Sequence, residues 1–109
     1  MFETEEQKER IILVAVATAD GDDTEQSLDE LEELGQTAGA VTVAKVIQNR
    51  EKVHAGTYVG KGKIEEIKNL AISLDADAVV CDDELSPAQY HNLQDALEIK
   101  VIDRTVMIL

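Results

Sequence analysis

The chain has few of the residues that cross-link a fold, interrupt helices and strands, or fill a core with aromatic rings. Its 109 residues include one cysteine, one proline and no tryptophan, and aromatic residues make up only 3% of it. A lone cysteine, Cys81, excludes an internal disulfide framework and a multi-cysteine zinc site, and it is typical of a reducing compartment. Because aromatic side chains are so scarce, the core has to be built from Ile, Val, Leu and Ala.

Long apolar runs are missing as well. No window approaches the ~20 apolar residues that a membrane-spanning helix needs, and the acidic start of the chain does not resemble a signal peptide. We therefore expect a cytoplasmic protein without a membrane span. The length and the 44% apolar content fit one α/β domain over residues 11–109, preceded by an acidic, flexible N-terminus over residues 1–10.

Basic residues are few and unevenly placed. The chain has 23 acidic residues against 10 basic ones, a net charge of −13. Residues 1–33 carry twelve acids against two bases, and residues 75–109 carry eight acids against two. Residues 34–74 reverse the balance, with six bases against three acids. A uniformly acidic surface would repel a polyanion, so a polyanionic partner is expected only at this basic middle segment.

Apolar patterning predicts four strands separated by helices. The strands are expected at residues 11–17, 41–47, 77–81 and 101–103, with the first in the centre of the sheet and the second nearer an edge. Ser86, Pro87 and Gln89 have the pattern of a capped helix start. Alternating strands and helices predict a three-layer α/β fold, in which a mainly parallel four-stranded sheet carries helices on both faces.

Two glycines and two lysines stand where an extended segment turns into a helix: Gly60, Lys61, Gly62 and Lys63. Unpaired N–H groups, close backbone approach and positive charge make such a start suitable for an anion, although glycine and lysine are also ordinary turn and surface residues. A nucleotide-hydrolysing P-loop requires Ser or Thr after Gly-Lys, where this chain has Ile64. The pattern therefore favours a backbone phosphate as the ligand.

Acidic residues follow the strands and are expected to share one edge of the sheet. Asp82 and Asp83 are weak candidates for a magnesium site, but the same residues are typical turn formers and complement helix N-termini. We predict no metal site and no catalytic residues, and surface positions for His54 and His91. The other acids expected at this edge are Asp20, Asp22, Asp23 and Asp103.

Three segments, residues 57–67, residues 82–93 and residues 101–105, together resemble the N-terminal domain of the HflX family of ribosome-associated GTPases. The resemblance implies that a helical hairpin and a G domain follow in the parent protein, where GTP and magnesium would bind. It implies no cofactor for this fragment, and it makes the large ribosomal subunit and its RNA the expected partners, with intramolecular contacts to the hairpin and the G domain. Residues 53–56 depart from the proline-containing segment of relatives, and the apolar residues 106–109 are typical of the interior of a longer chain.

The favoured hypothesis is a non-catalytic domain that binds ribosomal RNA. Phosphates would be contacted by the charges of Arg50, Lys52, Lys61 and Lys63 and by backbone N–H groups at Gly60 and Gly62. Two alternatives remain open: a nucleotide- or phosphate-binding domain that uses the same glycines, with an acidic residue for magnesium, and a scaffold that regulates the attached G domain.

Overall fold

A computed structural model describes residues 8–18 and 23–108. The strands are β1 (Glu9–Ala17), β2 (Ala40–Asn49), β3 (Ala78–Cys81) and β4 (Lys100–Asp103). The helices are α1 (Thr24–Thr37), α2 (Lys61–Leu74), α3 (Pro87–Leu97) and α4 (Arg104–Ile108). None of these helices is long and apolar enough to cross a membrane.

The strands form one parallel sheet in the order β2-β1-β3-β4. β1 is central and its residues 11–16 are buried, because helices cover it on both faces and leave no polar side for solvent. β2 lies at an edge. The predicted α/β fold, with a parallel four-stranded sheet between helices, is confirmed.

Two aliphatic clusters fill the space between the layers. Ile12 and Val14 of β1 pack on the side of α2 and α3, with Ile67 and Leu93 among their neighbours. The alternate β1 residues point the other way, towards α1 and α4. Their cluster contains Ile11, Leu13, Ala15, Leu28, Leu31 and Val80. Each face of the sheet therefore has its own core, and β1 contributes to both.

The start of the domain lies earlier than the predicted boundary at residue 11. β1 begins at Glu9, and the Arg10 side chain donates from Nε and Nη2 to the carbonyl oxygen of Leu74, at 3.0 and 2.8 Å. Arg10 thus belongs to the folded domain and ties β1 to the end of α2. The flexible N-terminus stays a prediction for residues 1–7, which lie outside the described residues.

All four helices follow strands that run in the same direction, so their N-termini gather at the carboxyl edge of the sheet. The chain leaves β1 towards β2 on one side and reaches β3 and β4 on the other, which makes the gap between β1 and β3 a topological switch point. Of the residues that the sequence singled out for binding, this edge holds those that the structure describes.

Candidate nucleic-acid interface

The start of α2 has no side-chain cap among the described residues. Gly60 is the N-cap, in an extended conformation, and the first turn contains no acidic residue. The N–H of Gly60 donates to Oε1 of Gln48 at 2.8 Å. The next three residues, Lys61, Gly62 and Lys63, have no intrahelical acceptor for their N–H groups. Together they form an N-terminus with two lysines and three backbone donors that have no partner among the described residues.

Arg50 lies against Gly60. A Cβ atom placed on Gly60 would come within 2.8 Å of Arg50 Nη1 and 3.4 Å of Gln48 Nε2, so a side chain here would displace the guanidinium. The Arg50 Nε donates to the carbonyl oxygen of Lys52 at 3.1 Å, and the Arg50 N–H donates to that of Ala17 at 3.0 Å. Glycine at position 60 therefore provides the space that lets Arg50 sit over the helix start.

The predicted basic residues are not equally available. Lys63 Nζ pairs with Glu66 Oε1 at 3.0 Å, so part of its charge is already balanced. No described carboxylate lies within 4.0 Å of the side-chain nitrogens of Arg50, Lys52 or Lys61. The structure thus brings the Arg50 guanidinium to the start of α2 at Gly60, next to Lys61 in the chain, while Lys52 contacts Arg50 through its backbone carbonyl oxygen and not through its charge. We call Arg50, Lys52 and residues 60–63 the basic edge.

A tight turn leads into the basic edge. His54 and Tyr58 exchange two backbone hydrogen bonds of 3.1 and 2.9 Å, and His54 Nδ1 accepts from the N–H groups of Gly56 and Thr57 at 3.1 and 3.2 Å. His54 is exposed, as predicted for a surface histidine, yet its ring organises the turn. The sequence pattern did not indicate this role, because a side chain that accepts from its own backbone leaves no periodic signal.

Tyr58 anchors the turn in the protein interior. Its φ of 70° is unusual for a residue with a side chain, and the side chain is 1% exposed. Its hydroxyl donates to Oδ2 of Asp83 at 2.7 Å. Burial, reinforced by this carboxylate, raises the pKa of Tyr58, which keeps the hydroxyl protonated as a donor. The contact connects the turn to the loop after β3.

α3 holds the same turn from the other side. Gln89 Nε2 donates to the carbonyl oxygen of His54, and Asn92 Nδ2 donates to that of Gly56, both at 2.9 Å. These contacts and the Tyr58 hydroxyl bond join residues at least 25 positions apart in the chain. The basic edge is therefore preceded by a backbone that three distant side chains keep in place.

Two acidic residues at the same edge, Asp82 and Asp83, have structural partners. Asp82 Oδ1 accepts from Arg104 Nη1 at 2.6 Å, and burial raises the pKa of Asp82 against the opposing effect of Ser27 and Arg104. Asp83 accepts the Tyr58 hydroxyl. Among the described residues, no three His, Cys, Asp or Glu side chains are grouped to hold a metal ion. Asp23 caps no N–H with its side chain, and Asp20 and Asp22 lie outside the described residues.

Asp103 is the most enclosed of these carboxylates, at 1% exposure. Oδ2 accepts from the Leu85 N–H at 2.8 Å, and Oδ1 accepts from the Thr105 N–H and hydroxyl at 3.1 and 2.5 Å. Burial alone would raise the pKa of Asp103, but these hydrogen bonds outweigh it and lower the pKa. Burial and the neighbouring Asp103 raise the pKa of Tyr90 to about 12.

Comparison with known proteins identifies the family. Residues 25–109 match the family described as the GTP-binding GTPase N-terminal region. The chain is 64% identical over all 109 residues to the GTPase HflX of Lacrimispora saccharolytica, of which it covers 26%. It is 36% identical over 109 residues to the GTPase HflX of Escherichia coli, of which it covers 25%. The chain belongs to the HflX family of GTPases.

The family match concerns one part of longer proteins, since the chain spans about a quarter of the length of the curated HflX relatives it matches. The fold also resembles the crystal structure of a GTP-binding protein from Sulfolobus solfataricus in complex with GDP. That match has a TM-score of 0.56 at 14% identity and covers 89% of this chain and 28% of the other. The N-terminal domain of the HflX family, predicted from three short segments, is thereby confirmed.

Proposed function

We propose that this chain is a non-catalytic, RNA-binding N-terminal domain of an HflX-type GTPase, acting on the large ribosomal subunit. The start of α2 is the observation that supports the proposal. Within the part of the chain that the structure describes, it combines three backbone N–H groups without a partner, the lysines Lys61 and Lys63 and the nearby Arg50. It has no side-chain cap and no acidic residue in its first turn. Such a site suits a phosphate, and the RNA backbone presents phosphates in a row.

The geometry refines how each residue of the basic edge would act. Arg50 and Lys61 provide charges that are not paired with a described carboxylate, and Lys63 has to share its charge with Glu66. Gly60 contributes its missing side chain rather than its N–H, because Gln48 already accepts that hydrogen. Gly62 lies in open space, so its lack of Cβ permits close approach of a phosphate to the helix N-terminus.

In this proposal, GTP binding and hydrolysis belong to parts of the longer protein outside these 109 residues. The 109 residues contain no P-loop pattern, so GTP and magnesium are assigned to a G domain that follows a helical hairpin, in a cytoplasmic protein. The net charge of −13 opposes binding to RNA. We therefore expect weak binding by this domain alone and tighter binding when the other domains add contacts of their own.

The test is a charge reversal at the basic edge with a matched control. Lys61→Glu combined with Lys63→Glu should weaken binding of the chain to purified large ribosomal subunits on the order of tenfold. Across a salt series, the slope of log affinity should flatten by roughly one unit per lysine lost. Cosedimentation measures both quantities.

The control combines Lys68→Glu with Lys100→Glu, which changes the net charge equally. These lysines pair with Glu98 and Glu9, away from the start of α2. The proposal fails if control and test variants lose the same affinity, or if neither changes the salt slope. Saturable amide shifts at Gly60 and Gly62 on titration with ATP or GTP and magnesium would instead support a nucleotide-binding domain. Unchanged ribosome binding with altered GTPase regulation in a longer relative would support a scaffold.

A further inference from the structure

β2 leaves one side of its backbone open. In a parallel pair, alternate residues direct their N–H and C=O groups to the neighbouring strand, and Arg50 N–H donates to Ala17 in β1. The same alternation turns the peptide groups of Lys45, Ile47 and Asn49 away from β1. No hydrogen bond among the described residues satisfies these groups, so β2 presents three peptide units to a further strand.

A cleft of about 280 Å³ runs beside this open edge, between α1 and β2. Its floor is apolar, formed by the buried Leu28 and the half-buried Ile47, and its α1 wall is acidic, formed by Glu25 and Asp29. The Asp29 side chain is 71% exposed. A Lys or Arg side chain fits this cleft, because its aliphatic stem would pack on the apolar floor while its positive charge would lie beside the acidic residues of α1.

The negative charge of α1 favours a positively charged partner. α1 contains five acidic residues and no basic one. Lys45 balances part of this charge, because it pairs with Asp29 at 3.0 Å and Glu32 at 2.7 Å, and Arg104 pairs with Glu30 at 3.4 Å. Glu25 and Glu33 have no described cation within 4.0 Å, so α1 keeps a net negative charge. A second copy of the chain would bring another acidic α1 to the same edge and be repelled. A cationic strand would be attracted.

We propose that the open edge of β2 and the α1–β2 cleft bind an extended segment of a partner protein in which Lys or Arg alternates with aliphatic residues. The segment would add a fifth strand beside residues 44–49, since a register irregularity at residues 42–44 ends the regular edge there. Its cationic side chains would face Glu25 and Asp29, and its aliphatic ones would cover the half-buried Ala44 on the other face. This surface lies on the α1 side of the sheet and does not depend on RNA binding at α2.

The experiment uses the 109-residue chain and three capped peptides of equal length. The first alternates Lys and Val, the second replaces each Lys by Glu, and the third replaces two Val by Pro, which blocks strand pairing. The Lys-Val peptide should produce saturable amide shifts at Lys45, Ile47 and Asn49, while the other two peptides should not. Glu25→Lys with Asp29→Lys should weaken this binding about tenfold.

Glu65→Lys with Asp95→Lys is the matched control, because both residues are exposed on the helices of the opposite face. It should leave the affinity within about twofold. Asn49→Pro tests the backbone contribution by removing one outward N–H from an exposed edge position, and it should abolish the shifts while thermal unfolding stays cooperative. The proposal is overturned by equal binding of the Glu peptide, by equal losses in test and control variants, or by edge shifts that depend only on protein concentration and thus report a second copy.

Discussion

The N-termini of α2 and α3 lie at the same edge of the sheet, but only that of α3 has a side-chain cap among the described residues. α3 begins with a complete capping box, in which Ser86 accepts from the Gln89 N–H at 3.1 Å and the Gln89 side chain accepts from the Ser86 N–H at 2.9 Å. α2 begins at Gly60 with no side-chain cap, and lysines occupy its first turn. A capped N-terminus stabilises the fold, whereas an uncapped basic one keeps its donors for a ligand.

The residues around the two N-termini also differ in the contacts they make with the rest of the domain. The residue before the α3 cap, Leu85, donates its N–H to the buried Asp103, and Gln89 also reaches the turn before α2. At α2 the corresponding contacts among the described residues are Gln48 on the Gly60 N–H, Arg50 against the Gly60 backbone and the Thr57 hydroxyl on the Val59 carbonyl oxygen. α3 and its surroundings thus support the turn that leads into the start of α2, where we propose binding. Substitutions at α3 should therefore change stability, and substitutions at the start of α2 should change binding.

Asp103→Asn should destabilise the domain by about 2–3 kcal/mol at neutral pH. The two carboxylate oxygens of Asp103 accept hydrogen bonds from the N–H groups of Leu85 and Thr105, and the amide NH₂ of asparagine cannot accept either of them. The measurement is urea unfolding as a function of pH. The folded-state pKa of Asp103 lies below the ordinary 3.8, so its contribution is fully present above pH 3.8 and is lost as the pH falls through the folded-state pKa. The difference between wild type and variant should therefore shrink below pH 3.8.

Asp95→Asn is the control for that experiment, since Asp95 is exposed on α3 and makes no hydrogen bond within the described part of the chain. It should change the unfolding free energy by less than about 0.5 kcal/mol. A pH-independent loss in Asp103→Asn would contradict the assigned role of the charged carboxylate.

Ser86→Ala should cost about 1 kcal/mol of stability, because the Gln89 N–H loses its side-chain acceptor. Thermal or urea unfolding measures the loss, and Ser73→Ala, at an exposed position near the end of α2, should be close to neutral. Binding to the large subunit should change little in either variant. A Ser86→Ala variant as stable as wild type would remove the contrast between the two helix starts.

Gly62→Ala and Ala88→Gly exchange the residues at the second position of α2 and α3. Gly62→Ala should stabilise the domain by about 0.5 kcal/mol, since alanine restricts the unfolded chain and the added Cβ meets nothing within 4 Å. Ala88→Gly should destabilise it by a similar amount. Only Gly62→Ala should weaken binding to the large subunit, because its methyl group would stand between a phosphate and the backbone. Equal binding by both variants would show that Gly62 serves the helix alone.

Much of the fold was predictable because its signals are local. The apolar run of β1 placed it at the sheet centre, and Ser86, Pro87 and Gln89 marked the start of α3 within four residues. The beginning of β1 was predicted two residues late, since Glu9 and Arg10 are polar and join the strand through contacts such as that of Arg10 with Leu74, 64 positions away.

The proposed binding site follows from the sequence in its position but not in its arrangement. Composition alone separated the basic middle segment from the acidic ends, and glycine-lysine chemistry indicated the start of α2. The roles of Gln48, Tyr58 and His54 were not visible. Gln48 acts across 12 positions and Tyr58 across 25, and no spacing rule connects such pairs before the chain is folded.

The α/β class, the family, the capped start of α3 and the charge polarity can all be read from the amino-acid sequence, because each follows from short-range pattern or from composition. The folded chain was needed to show that Arg50 lies over Gly60, that the Gly60 N–H already has an acceptor, and that β2 has an open edge beside an acidic helix. These features depend on which distant residues meet when parallel strands align. That alignment is set by the packing of both faces of the sheet together, and no single segment encodes it.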